Sequence, residues 1–224
     1  MSQEIINLML QGIQETVFMV AVATIIAAII GIPLGITLVT TSRGHILENR
    51  FINQILGTIV NIIRSIPFII LMVAIIPLTR IIAGTSIGTT AACVPLTIVA
   101  IPFLSRLVET SIRDVDFGLV EAAESMGATP FQIIRKVLIP EALPTIINNI
   151  TVLIVNLIGA SAMGENIFRG LLHRKATDKQ VMIVARVTLV VMFLFGILVA
   201  YDQNSSIFQV VSYAWAGLGA SFGP

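Results

Sequence analysis

The sequence predicts an all-α, polytopic membrane protein, a helical bundle with about five to six transmembrane helices. Two compositional facts and one pattern lead there. Only 11% of its 224 residues are charged, where a soluble domain carries about 25%. Its mean hydropathy is +1.00. Uncharged runs long enough to cross a bilayer recur from one end of the chain to the other.

Composition also excludes several classes of function. A net charge of +1 gives no reason to expect a nucleic-acid partner. Cys93 is the single cysteine and sits in an apolar run, so neither an intrachain disulfide nor a cysteine metal site is expected. His45 and His173 are far apart and fall in loops, so no metal and no cofactor is expected. The sequence lacks H-E-x-x-H and sets no histidine near a plausible nucleophile, which leaves no catalytic residues to name and argues against an enzyme. The dipeptide Gly-Lys does not occur, so the phosphate loop G-x-x-x-x-G-K-[ST] is absent and this chain does not bind ATP in that way. No cleavable signal is evident, because no basic residue precedes Arg43.

Thr16–Ser42 is 27 residues without a charge, about 40 Å as a helix. Gly31, Pro33 and Gly35 lie near its far end and are read either as a kink or as a close-packing seam. Arg43–Arg50 is a basic loop, placed inside by the positive-inside rule. The second apolar segment, Phe51–Thr79, is interrupted by Arg64. We expect Arg64 near the inner interface, its head snorkelling, with Ser65–Thr79 inserted and Phe51–Ile63 partly interfacial. The other reading is a buried arginine paired with a carboxylate. Ile81–Ser105 reads as the third span, with Gly84 and Gly88 at its start and Pro95 and Pro102 on one face. Thr145–Gly164 is the fourth; Asn149 and Asn156 share a face and are read first as interhelical glue, then as substrate contacts. Seven of the eight Lys and Arg residues before position 160 fall inside in this topology, with the N-terminus outside.

Between the third and fourth spans lies a polar island, residues 106–144. Its stretch Asp116–Pro144 reads as two short helices with a bend between them. Leu119, Ala122, Ala123 and Met126 follow helical spacing and form an apolar stripe opposite Glu121 and Glu124. Gly127 is a helix stop. Thr129, Pro130 and Gln132 supply an N-cap, a first-turn proline and a capping box for the second helix. Phe131, Ile134 and Leu138 line one side of that helix, and Pro140 and Pro144 end it. On local pattern alone the island reads equally as an amphipathic loop on the membrane surface.

The spacing Glu121-Ala122-Ala123, Gly127, then Val137-Leu138-Ile139-Pro140 resembles the EAA loop of importer-type ABC transporter permeases. Arg64–Leu71, Ile76–Arg80, Gly84–Gly88, Val94–Thr97, Met126–Pro130 and Arg135–Pro144 resemble the methionine importer permeases within that group. The resemblance runs to about residue 164. It implies a five-helix permease subunit of a bacterial inner membrane, working as a homodimer in the lipid bilayer. Its implied partners are an ABC ATPase subunit and a periplasmic methionine-binding protein. It also implies that Glu121, Ala122, Ala123, Met126, Gly127 and Pro130 form the coupling site for the ATPase.

Residues 165–224 read as a separate, divergent membrane tail. The loop Glu165–Lys179 carries four basic residues, which breaks the positive-inside rule if it lies outside. Val187–Pro224 resembles a fragment of a sodium/proline-type symporter. The domain expectation is therefore a permease-like domain, 1–164, followed by a symporter-like tail, 165–224, joined near Ser161–Glu165. The expected function is a permease subunit of an ATP-driven methionine importer. The rivals are an ion-driven secondary transporter and a hybrid of permease and symporter pieces that transports nothing.

Overall fold

Residues 3–86 and 88–172 are described by a computed structural model, and they form helices and turns without a strand among them. Expectations for residues 173–224 fall outside the described residues. The helices are α1 (Gln3–Thr40), α2 (Arg50–Ser65), α3 (Phe68–Ala74), α4 (Ile76–Ala83), α5 (Thr89–Arg113), α6 (Phe117–Ser125), α7 (Pro130–Ile133) and α8 (Ile139–Leu172), with a π-turn at Ile134–Leu138 before α8. Among the described residues, three helical stretches are long and apolar enough to cross a membrane: Leu10–Thr40, Thr89–Arg113 and Pro130–Ser161.

α5 is the centre of the bundle, with α1 and α8 packed on it. The seam between α1 and α5 is made by small residues. Ala23, Ala27, Gly31 and Gly35 recur every four residues and are buried. A Cβ at Gly35 would stand 2.6 Å from the Ser105 carbonyl oxygen, and one at Gly31 would stand 3.0 Å from that of Ile101. Backbone meets backbone there, which is how membrane helices gain contact where lipid gives no hydrophobic push. Of the two readings of Gly31–Gly35, close packing is the one the structure shows. Val17, Ile25 and Ile29 point away from the seam and are exposed, as a lipid-facing surface requires.

The third span is displaced from the sequence expectation. Residues 81–83 finish α4, Gly84 caps it with φ 71°, and α5 begins only at Thr89. Two glycines of positive φ, Gly84 and Gly88, end one helix and start the next, so the uncharged run is not one helix. At its other end α5 continues to Arg113, and Arg106 therefore belongs to the helix rather than to the loop. Pro95 and Pro102 are both buried in α5, within the packed bundle of this chain.

The second apolar segment is not a single span either. It breaks at Ile66–Pro67 and again at Ile75, giving α2, α3 and α4. Proline disfavours helical geometry in the residue before it, and Ile66 is extended at ψ 124°. α2 is amphipathic with its sides inverted relative to a soluble helix. Phe51, Ile55, Ile59 and Ile62 are exposed. Asn53, Gly57 and Asn61 face α1 and α5: Asn53 Nδ2 donates to the Leu38 carbonyl and, at 3.1 Å, to Thr41 Oγ1. Such an arrangement suits lipid outside and polar partners within.

The second helix of the island does not end at its prolines. α7, the π-turn and α8 follow one another without interruption, with Pro140 and Pro144 inside. The Ile139 amide bonds to the Ile134 carbonyl, five residues back. In a regular helix the Pro140 ring would press on the carbonyl four residues earlier; the wider π-turn just before it gives the ring room. Asn149 ties α8 to α5, its Nδ2 donating to Ser111 Oγ at 2.7 Å and to the Leu107 carbonyl at 3.2 Å. Asn156 does not join it: it is exposed, and its side chain bonds among the described residues to Val152 of its own helix, at 3.1 Å.

Candidate functional site

The segment between α5 and α8 turns on three local devices. Asp116 caps α6, its Oδ1 accepting from the Gly118 amide at 2.9 Å. Gly127 closes the helix in the left-handed conformation at φ 79°. The Gly127 amide donates to Glu124 and the Ala128 amide reaches back to Ala123 at 3.0 Å, which satisfies the last carbonyls of α6. Thr129 and Gln132 then form the capping box, with Pro130 at the first position of α7. The bend thus comes from glycine on one side and a cap on the other.

The buried face of this segment differs from the expected one. Val120 and Ala123 point into the bundle, whereas Leu119, Ala122 and Met126 are exposed. Likewise Ile133 and Leu138 are buried, while Phe131 is 68% exposed and Ile134 only partly covered. Leu119, Ala122 and Met126 do lie on one side of α6, but α6 rests on the residues next to that stripe. A nine-residue helix has two apolar sides here, and spacing alone does not say which one packs.

The result is an exposed apolar patch in a polar surrounding. Met126 is 81% exposed, Phe117 and Leu119 are also open, and Glu121 and Glu124 stand among them. Glu121 takes part in no ion pair among the described residues. Of the six residues picked from sequence, Ala123 is buried as the seat of α6, and Glu121, Ala122, Met126, Gly127 and Pro130 are on the surface.

Two features behind the patch were not foreseen. His45, in the loop after α1, stands edge-on to Phe117 with ring centroids 5.9 Å apart. Burial, and secondarily the Arg113 charge, hold its pKa below the usual 6.5. The second is an ionic cluster at the lower end of α5. Glu109, 7% exposed, accepts from Arg106 and from Arg113, the latter at 3.0 Å. Arg106 also donates to Asn61 Oδ1 at 2.8 Å and to the Gly57 carbonyl at 3.4 Å, which ties α2 to α5. The sequence expectation puts Arg106 and Arg113 in a loop, as markers of the inner side. Their spacing of three and four residues about Glu109 was the available signal for the cluster.

This fold and this island have known counterparts. Residues 31–201 match the family described as "Binding-protein-dependent transport system inner membrane component". The chain is 56% identical over 164 residues to the probable D-methionine transport system permease protein MetI of Vibrio cholerae, covering 73% of each. It is 49% identical over 164 residues to MetI of Escherichia coli K12, covering 73% of this chain and 76% of that one. A chain of the inward-facing MetNI methionine ABC transporter superposes with a TM-score of 0.80 at 41% identity, over 91% of this chain and 97% of the other. An amino acid ABC transporter with histidines shares the fold at 22% identity and a TM-score of 0.58. With the family match covering three quarters of its length, the chain belongs to the inner membrane components of binding-protein-dependent transport systems.

Proposed function

We propose that this chain is the permease subunit of an ATP-driven methionine importer, a homodimer in the bacterial inner membrane. In this reading it pairs with an ATPase subunit and a periplasmic methionine-binding protein. The identity of 56% with a D-methionine permease carries the substrate. The absence of a phosphate loop supports a separate ATPase.

In this reading α6 is the coupling helix. Its exposed Leu119, Ala122 and Met126 supply an apolar contact, Ala122 and Gly127 permit close approach, and Glu121, without an ion pair among the described residues, meets a basic residue of the ATPase. Ala123 seats the helix from beneath, and Pro130 starts the segment that leads through the π-turn into α8. A push on α6 would thus reach α5 through Asp114–Asp116 and α8 through α7. The division into a permease-like part to residue 164 and a divergent tail is part of the proposal; the relatives align over 164 residues, while the family match continues to 201.

The test is uptake of methionine by proteoliposomes holding this chain, its ATPase and its binding protein. ATP-dependent uptake supports the reading. Uptake that persists without the ATPase and collapses with the sodium gradient refutes it.

A further inference from the structure

The inward face of α2 carries a cation for which the described residues provide no anion. Positions 53, 57, 60, 61 and 64 recur at three or four residues and so share one side of the helix. Asn53, Gly57 and Asn61 meet α1 or α5 on that side, and Val60 is buried there. Arg64 is the next member of the row. It is exposed, and it makes no ion pair or side-chain hydrogen bond with another described residue.

Its place along the helix argues against a simple surface role. Asn53 bonds to the end of α1, at Leu38 and Thr41. Arg64 lies eleven residues further along α2, about 16 Å along its axis and so about half of a 30 Å hydrocarbon core. The apolar face of α2 is on the opposite side, with Ile55, Ile59 and Ile62 exposed as lipid would have them. An arginine head at such a depth, away from the lipid face, marks a polar path. The carboxylate that this face reaches through Arg106 is Glu109, and it already serves Arg106 and Arg113. Glu15 lies near the start of its span, Leu10–Thr40, and Glu141, eleven residues into Pro130–Ser161, makes no ion pair among the described residues.

We propose that Arg64 binds the α-carboxylate of the transported amino acid. The planar guanidinium fork fits a carboxylate with two parallel hydrogen bonds. Asn61, one turn earlier, accepts from Arg106 at its Oδ1 and retains its amide N–H groups to donate to the same anion. The break at Ile66–Pro67 follows at once, so the site sits where α2 hands over to α3. This inference deepens the proposed function and rests on it.

The experiment measures binding of labelled methionine to the detergent-solubilised complex of full-length chain and ATPase, without the binding protein. Methioninamide, which keeps the side chain and ammonium and lacks the carboxylate, is the competitor. Wild type should bind methionine at least about 10-fold tighter than methioninamide. Arg64→Gln should weaken methionine roughly 10- to 100-fold, as loss of a charged hydrogen-bond partner does, and leave methioninamide unchanged. Arg64→Lys, which keeps the charge and loses the fork, should fall between. Unchanged methionine affinity in both variants overturns the proposal. So does an equal loss for both ligands, or a loss reversed by adding phosphatidylglycerol, which would assign Arg64 to a lipid phosphate. Should Arg64→Gln fail to assemble, the lysine variant and the wild-type preference decide alone: a wild type indifferent to the carboxylate overturns the proposal. A wild-type complex that neither binds nor pumps methionine refutes the proposed function, and this inference with it.

Discussion

His45 and Phe117 meet edge-on, their ring planes at 86°. The contact fastens the loop that follows α1 to the first residue of α6, so the exposed patch is held from two helices. Replacing Phe117 with Ala should loosen α6 by about 0.5–1.5 kcal/mol beyond the lost burial, the range for paired aromatic rings. Hydrogen exchange of the α6 amides would rise while those of α5 stay protected.

The same contact predicts a pH dependence. The folded-state pKa of His45 lies below 6.5, through burial and the nearby Arg113. The unfolded chain therefore binds the proton more readily. Stability contributed by neutral His45 is complete above 6.5 and is lost as pH falls below it toward the lowered folded value. Thermal denaturation of the purified chain should show a drop as pH falls below 6.5, reduced in His45→Gln.

Glu109→Gln should be among the most damaging single changes in the inner half of the bundle. It leaves Arg106 and Arg113 without their shared carboxylate, and Arg106 already carries an Nε with no hydrogen-bond partner among the described residues. Removing one member of a buried pair costs about 3–5 kcal/mol, and the quarter exposure of the Arg106 side chain places the expected loss at the lower end. A fall in melting temperature, with α2 becoming accessible to protease, would show it. A variant as stable as wild type would mean that water replaces the carboxylate.

Gly35→Leu should separate α1 from α5. The obstacle is the Ser105 carbonyl, which is backbone and does not swing aside. Overpacking of this kind costs about 1–3 kcal/mol. Gly12→Leu is the control, since nothing lies within 4 Å of a Cβ there. Equal expression and melting of the two variants would contradict the seam.

Gly127→Ala places a side chain in the left-handed region at φ 79°, at a cost of about 1–2 kcal/mol. Space is not the difficulty, because no atom lies within 4 Å of that Cβ. The helix end should fray, and in a pull-down the ATPase should be retained less well. Glu121→Lys should reduce ATPase retention with no change in melting, since Glu121 is exposed and unpaired among the described residues. Unaltered retention in both variants would remove α6 from the docking role.

The sequence by itself determined the class of solvent and the local punctuation. Sparse charge and long apolar runs require lipid. Gly127, Asp116 and the Thr129–Gln132 cap act through residues a few positions apart, so their turns could be read directly. The bend of the candidate site was legible for the same reason. Tertiary structure decided which faces pack. Hydropathy did not separate Val120 from Leu119, because the short α6 is apolar on both sides; nor did it show that the polar side of α2 turns inward, because lipid accepts an apolar face as readily as a core does. It also decided where helices break: Pro67 interrupts one, whereas Pro95, Pro102, Pro140 and Pro144 lie within others, because neighbouring helices or a π-turn absorb the missing bond. The pairing of Glu109 with two arginines and of His45 with Phe117 depended on those packing choices, since these contacts form only once α5 and the loops at its lower end are in place.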